Sequence, residues 1–238
     1  MKVLGIRSIP LSIETRQGWA AAGVKFAKRN SSRERIQGLV DKWGYDAVIN
    51  LGDSAFKSDT VPVWNDISTV DVTMDTASLR QALGGKGMPE RTIAGPHWHK
   101  RAGEFGGVGV TFCNPDADGY LQSCTGDMGE IQQHIEGVEY RVITVADKIV
   151  QAARKVNCEW TNGKHNFDYE WCGVDGVRYN GVIPLLKEAV VQLPNWGTSV
   201  LGWDVMVGDR PYILECNSCP GVNAATAGRI VKMMEELT

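Results

Sequence analysis

The stretch from Gly202 to Asn217, "GWDVMVGDRPYILECN", constrains this chain more than any other. Two apolar runs flank Gly208-Asp209-Arg210-Pro211, residues that favour a turn, so the segment reads as an antiparallel β-hairpin. Successive strand side chains point to opposite faces, which puts Glu215 and Asn217 on one face with Ile213 leading up to them on the same side. If Val207 and Tyr212 close the four-residue loop, the register sets Asp204 opposite Glu215. Alone, an E-x-N pair is the polar face of a half-covered sheet. Two carboxylates facing each other on adjacent strands repel, however, and a cation between them removes the repulsion. Asp204, Glu215 and Asn217 are therefore candidate ligands for a hard divalent cation, magnesium or manganese, which prefers oxygen.

The bulk properties narrow the classes. A chain of 238 residues can bury a substantial core, or a main domain plus a smaller unit. Its net charge of −3, with no basic block, predicts neither a nucleic-acid surface nor an anionic-membrane surface. No apolar run approaches the ~20 residues that span a bilayer, and "MKVLGIRSIPLSIETRQGWA" lacks the apolar core of a signal peptide. A cytoplasmic protein is expected. The six cysteines, Cys113, Cys124, Cys158, Cys172, Cys216 and Cys219, are scattered, which predicts reduced thiols rather than a disulfide framework. "CNSC" has no second cysteine or histidine pair at zinc-finger spacing, so structural zinc is not expected there.

Along the chain, strands and helices alternate without repeats, predicting an α/β (α+β) fold. "KVLGI" and "DAVINLG" read as strands; "GWAAAGVKFAKR" and "RERIQGLVDKWG" read as helices, the second ending on Gly44. The stretch from the end of "DAVINLG" to about residue 74 reads as irregular and bounds a small N-terminal unit. "TASLRQALGGKGMP" predicts a helix closed by Gly84-Gly85. Strands follow at "HWHKR", "VGVTFC", "YRVITVA", "KIVQAARKV", "SVLGWDVMV" and "PYILECN", with helices at "IPLLKEAVVQL" and "AATAGRIVKMMEEL".

Two further constellations carry chemistry. In "HKRAGEFGGVGVTF", Lys100 precedes Gly103, Gly106, Gly107 and Gly109. Glycines at that density let backbone amides approach a phosphate, and a nearby ammonium offsets its charge. A Gly-rich hairpin turn accounts for the same residues; the lysine lies outside the loop, unlike the Walker arrangement. In "IQQHIEGVEYRVITV", Gln132 and Glu139 bracket a glycine break and lead into a strand bearing Arg141, followed across a turn at Ala146-Asp147 by Lys148, Arg154 and Lys155. An amphipathic hairpin with solvated charges is the plainer account of this segment.

In order, these segments resemble the ATP-grasp carboxylate-amine ligases, in particular the glutamate-ligase-like and D-alanine-D-alanine-ligase-like branches. The resemblance covers about residues 75–225 and is most specific at "GWDVMV" with "ILECNSCPG". It implies two α+β subdomains clasping ATP: a lid at about 75–131 and a larger sheet at about 132–238, preceded by a short α/β unit at 1–74. By position, Lys100 would contact the ATP phosphates beneath the loop with Gly106 and Gly107. Gln132 and the backbone of Gln133 to Ile135 would face adenine, and Glu139 the ribose. Asp204, Glu215 and Asn217 would hold magnesium, and Arg141 or Arg154 would face the transferred phosphate. A second phosphate lysine, usual in that family near Asp75-Thr76, is missing, which leaves Arg80 or Lys86 to stand in.

The implied reaction activates a small-molecule or peptide carboxylate as an acyl phosphate, which an amine then attacks to form an amide. ADP and phosphate leave, and positioning, metal and cations carry the work. A phosphotransferase with the same nucleotide site and a non-catalytic nucleotide-binding protein are the other two classes. Cys216 and Cys219 are expected to pack rather than react. His97 and His99 share a strand face and suggest a structural or substrate-side role. The short N-terminal unit leaves room for a homo-oligomer to complete the substrate pocket.

Overall fold

Short buried apolar runs become strands wherever both faces are covered, and the N-terminal unit is built this way. The computed structural model describes residues 1–7, 10–52, 55–101, 110–115, 129–161, 164–177 and 180–238. Strands β1 (Val3–Ile6), β2 (Lys25–Phe26), β3 (Ala47–Asn50) and β4 (Val63–Trp64) form a parallel sheet in the order β2-β1-β3-β4. Every residue of β1 and β3 is buried, as a parallel sheet covered on both faces requires. Helix α2 (Arg33–Trp43) starts where the Ser32 side chain accepts the Arg35 N–H and stops at Gly44 in the left-handed conformation, φ 58°.

The first helix is displaced from its expected place. Helix α1 (Ile13–Ala21) begins at Ser12, which caps the Thr15 N–H, and Lys25–Phe26, expected within the helix, form β2 instead. Gly23 at φ 83° turns the chain there. The stretch expected to be irregular holds β4 and helix α3 (Ile67–Thr73), capped by Asp66, and helix α4 (Thr76–Ala82) follows from the Asp75 cap.

Strands β5 (His97–Lys100), β6 (Val110–Cys113) and β7 (Glu130–Gln133) form an antiparallel sheet with β5 in the middle. Strand β7 holds Gln132 and Gln133, the start of the segment that leads to the Gly137 break. Next come β8 (Val138–Val145), β9 (Lys148–Thr161), β10 (Lys164–Trp171), helix α5 (Val182–Val190), β11 (Val200–Val207), β12 (Pro211–Asn217) and helix α6 (Ala224–Leu237). The five strands make an antiparallel sheet in the order β10-β9-β8-β11-β12. Among the described residues, no helix is long and apolar enough to cross a membrane.

Alternation gives the larger sheet two unlike faces. Val142, Leu201, Trp203, Val205 and Ile213 pack with Leu79 and Leu83 of the α4 region and with Leu186 and Val190 of α5. On the opposite face of β8, Ile143 and Val145 join Val3, Ile49, Ile230 and Met234, so one half of that face is sealed by the N-terminal sheet and α6. Glu139 and Arg141 precede them on the same face and line a cavity instead.

The β11–β12 hairpin pairs Asp204 with Glu215 as expected, but by another route. Val207 pairs with Pro211, not Tyr212, and the register shifts between Asp204–Glu215 and Val205–Ile213, leaving Leu214 as the extra residue of a β-bulge. One residue lost from the loop is regained at the bulge. The bulge also turns Ile213 into the core, away from the face carrying Glu215.

Asn65 pins the N-terminal segment to this sheet. It is fully buried at φ 56°, its side-chain amide donates to the carbonyls of Val200 (2.9 Å) and Ser218 (2.7 Å), and its oxygen accepts the Val200 N–H (2.6 Å). Asn65→Ala strands those backbone groups and should cost about 2–4 kcal/mol in urea unfolding. A loss under about 0.5 kcal/mol would show that the pin is dispensable.

Candidate active site

The site lies where the inner face of the three-stranded sheet meets the charged half of the larger one, around a cavity of about 720 Å³. Within the three-stranded sheet, Trp98 pairs with Gln132 and Lys100 with Glu130, and all four face the cavity. The positions singled out from the sequence come together there. Lys100 and Gln132, with Gln133 and Ile135, line the cavity from the three-stranded sheet and the segment after it. Glu139, Arg141, Arg154, Asp204, Glu215 and Asn217 line it from the larger sheet. Gly106 and Gly107, like the rest of the loop from 102 to 109, lie outside the described residues.

The charges on β8, β9 and β11 are tightly paired. Asp204, 4% exposed, is bound by the Arg141 guanidinium, with one contact at 2.9 Å, and by Lys155 Nζ at 2.9 Å. Lys155, 6% exposed, also pairs with Glu139 and stands over the Phe167 ring. Arg141 reaches to 3.9 Å from Glu215, whose Oε1 accepts from Asn217 Nδ2 at 3.0 Å. Burial works against ionising Asp204, but Arg141 and Lys155 overcome it and hold its carboxyl well below the usual range. Glu215 moves the other way: burial, then the charge of Asp204, push its carboxyl up. Burial likewise raises Glu139, against the pull of Lys155.

This pairing corrects one step of the sequence argument. The two facing carboxylates do not need a metal to coexist, because Arg141 and Lys155 offset them. Lys155 is the site residue that sequence reasoning missed, having placed it among solvated charges. Arg80 and Lys86, the proposed stand-ins for a second phosphate lysine, do not line the cavity; Arg80 pairs with Glu130 and donates to the Pro89 carbonyl at 2.7 Å. The described cations that do line it beyond the expected ones are Arg101 and Lys155.

The Leu214 bulge has a use here. Its carbonyl accepts from Lys100 Nζ at 3.1 Å and from Gln132 Nε2 at 3.2 Å, tying the three-stranded sheet to β12. Gly137 allows a second close approach, since a Cβ there would lie 2.2 Å from the Val207 carbonyl oxygen. The N–H groups of Gln133 and His134 are committed to the Glu90 and Pro96 carbonyls at 2.8 and 2.9 Å.

Two cysteines, Cys158 and Cys216, also line the cavity. Cys216 is buried in the core and burial pushes its thiol well up, while Cys219 is pushed up to about 12 by burial. Cys158, Cys172, Cys216 and Cys219 are free, but Cys113 is disulfide-bonded, which corrects the expectation of reduced thiols throughout.

Neither a protein-family profile nor a curated protein matches the chain. Solved structures do. D-alanine–D-alanine ligase from Bacillus anthracis superposes over 100% of this chain and 97% of its own, with a TM-score of 0.64 at 16% identity. L-amino acid ligase from Bacillus licheniformis matches over 100% and 74%, with a TM-score of 0.64 at 11% identity. N5-carboxyaminoimidazole synthetase from Staphylococcus aureus, complexed with ADP, matches over 97% and 76%, with a TM-score of 0.66 at 10% identity. A protein of the ATP-grasp superfamily from Archaeoglobus fulgidus covers 99% of the chain at a TM-score of 0.63. The chain has the ATP-grasp fold.

Because the folded Asp204 carboxyl sits below its unfolded value of about 4, the stability it supplies is present above that pH and fades as pH falls toward the folded value. Asp204→Asn removes it and leaves Arg141 and Lys155 facing a neutral group. The variant should be less stable at pH 7 by about 2–4 kcal/mol, the gap closing by roughly 1 kcal/mol at pH 3. Urea unfolding at both pH values measures this, and a pH-independent gap contradicts it.

Proposed function

We propose that this chain is an ATP-dependent carboxylate-amine ligase that forms an amide through an acyl phosphate, releasing ADP and phosphate. The observation that carries the proposal is one cavity gathering Asp204, Glu215 and Asn217 together with the cations Lys100, Arg141, Arg154 and Lys155. Its ligand set is all oxygen, two carboxylates and an amide, which suits magnesium or manganese retaining several waters. Glu215, pushed toward its protonated form by burial and by Asp204, is a group that a cation would return to the carboxylate.

In this reading, residues 75–131 and 132–238 are the two subdomains that clasp the nucleotide, and residues 1–74 are the N-terminal unit. Gln132 and Ile135 meet adenine, Glu139 the ribose hydroxyls, and Lys100 the phosphates, under the loop bearing Gly106 and Gly107. Magnesium held by Asp204, Glu215 and Asn217 would supply positive charge against the phosphates. Arg141 and Lys155, which pair with Asp204, are the cations that would stand beside the transferred phosphate. Arg154, exposed and lining the same cavity, faces the transferred phosphate with Arg141 in this reading. The amine attacks the activated carbonyl, and phosphate is a good leaving group where oxide is not. The acceptors are a small-molecule or peptide carboxylate and an amine.

Product analysis tests the proposal. With a screened panel of amino acids and short peptides, nucleotide chromatography should give ADP with stoichiometric phosphate, and hydroxylamine in place of the amine should yield a hydroxamate. AMP as the main product contradicts the mechanism; ADP with a stable phosphorylated product and no hydroxamate makes the protein a phosphotransferase. Glu215→Gln should lower kcat by at least about 10²–10³-fold with the fold intact. Wild-type turnover of that variant at saturating magnesium would remove Glu215 from the metal site.

A further inference from the structure

The face of the three-stranded sheet turned away from the cavity carries its own cluster. Alternation sends Trp98 and Lys100 of β5 inward and His97 and His99 to the other side. Cys113 of β6 stands directly opposite His97, and His99 lies one side-chain step along the same face, across from Thr111. The ligand atoms of His97, His99 and Cys113 all lie within 4.8 Å of one another.

We propose that, with Cys113 in its thiol form, this face binds a zinc ion through His97, His99 and Cys113. Bond lengths of about 2.0–2.1 Å to nitrogen and 2.3 Å to sulfur set tetrahedral ligand–ligand edges of about 3.3–3.8 Å, so the cluster has to close by about 1 Å. His97 is fully buried, and its Nδ1 lies 2.6 Å from the Gly95 carbonyl oxygen. That contact places the proton on Nδ1 and leaves Nε2 as the ligand atom, the backbone support that a metal-bound imidazole uses. His99 Nε2 is buried and has no hydrogen-bond partner among the described residues. The two rings are 5.0 Å apart and tilted by 37°, close enough to share an ion. Two imidazoles and a thiolate select zinc, not magnesium, so this site is chemically distinct from the oxygen site on the sheet's other face.

The disulfide at Cys113 and the metal exclude each other. A dithiol reductant delivers two electrons and two protons to the disulfide and becomes a disulfide itself. Zinc then takes the Cys113 thiolate, and the thiol proton passes to solvent. The zinc state ties β6 to β5, from behind the strand that presents Lys100. The site therefore links the redox state of the lid sheet to metal content.

Metal analysis tests this without reference to activity. Protein reduced with dithiothreitol, desalted anaerobically, given zinc and desalted again should hold one zinc per chain. His99→Ala and Cys113→Ser should each hold under a tenth of that, as should the oxidised protein, whereas Lys100→Met, on the opposite face, should hold a full zinc. Cobalt in place of zinc should give a thiolate-to-metal charge-transfer absorption that Cys113→Ser abolishes. Circular dichroism confirms that each variant is folded, and His99→Asn, of smaller perturbation, replaces any that is not. No zinc on reduced wild-type protein, or undiminished zinc on folded His99 and Cys113 variants, overturns the proposal.

Discussion

The buried pairing of Asp204 with Arg141 and Lys155 is the interaction on which the rest of the site depends. Three charged groups cannot leave water unless each is satisfied, and here one carboxylate takes two cations while Lys155 also takes Glu139. Because the partners sit on β8, β9 and β11, the cluster fixes the mutual register of neighbouring strands. It also balances charge within the group, two carboxylates against two cations.

The same strands serve two ends. Along one face of β8, Glu139 and Arg141 give way to Ile143 and Val145, so the polarity of the sheet changes within four residue steps. The apolar half needs a cover, and the N-terminal sheet and α6 supply it, with Asn65 locking β4 to the start of β11. A short N-terminal unit is therefore sufficient for the fold even though it adds few groups to the cavity. The charged half is covered by the three-stranded sheet, anchored through Lys100 and Gln132 to the one carbonyl that a bulge releases.

Much of the site was legible in the sequence because its strongest signal is local. Asp204, Glu215 and Asn217 sit on two strands joined by a tight turn, and turn chemistry gives their pairing almost directly. It did so by compensation: the loop is shorter than expected and Leu214 makes up the difference. Where no compensation occurred, the reading failed. A tight turn at Ala146-Asp147 would put Arg154 opposite Glu139, but Val150 bulges out and moves Arg154 to Tyr140, bringing Lys155 to Glu139. Bulges have no sharp sequence signature, and one of them decides which basic residue is buried. Strand β10 went unread for a related reason: its alternation is apolar on one side only weakly, with Phe167, Tyr169 and Trp171 set among charges. The first helix was displaced because its cap, Ser12, lies in a polar stretch without the periodicity that marks a helix.

In the proposed function, one cavity between the three-stranded and five-stranded sheets binds a metal-nucleotide complex. A crystal structure with a non-hydrolysable ATP analogue and magnesium tests that claim most directly. It should place adenine beside Gln132 and Ile135, the phosphates beside Lys100, and the metal on Asp204, Glu215 and Asn217, with Lys155 and Arg141 drawn from Asp204 toward the phosphates. Nucleotide bound elsewhere, or bound here with the metal away from those three residues and the Asp204 pairing unchanged, would contradict it.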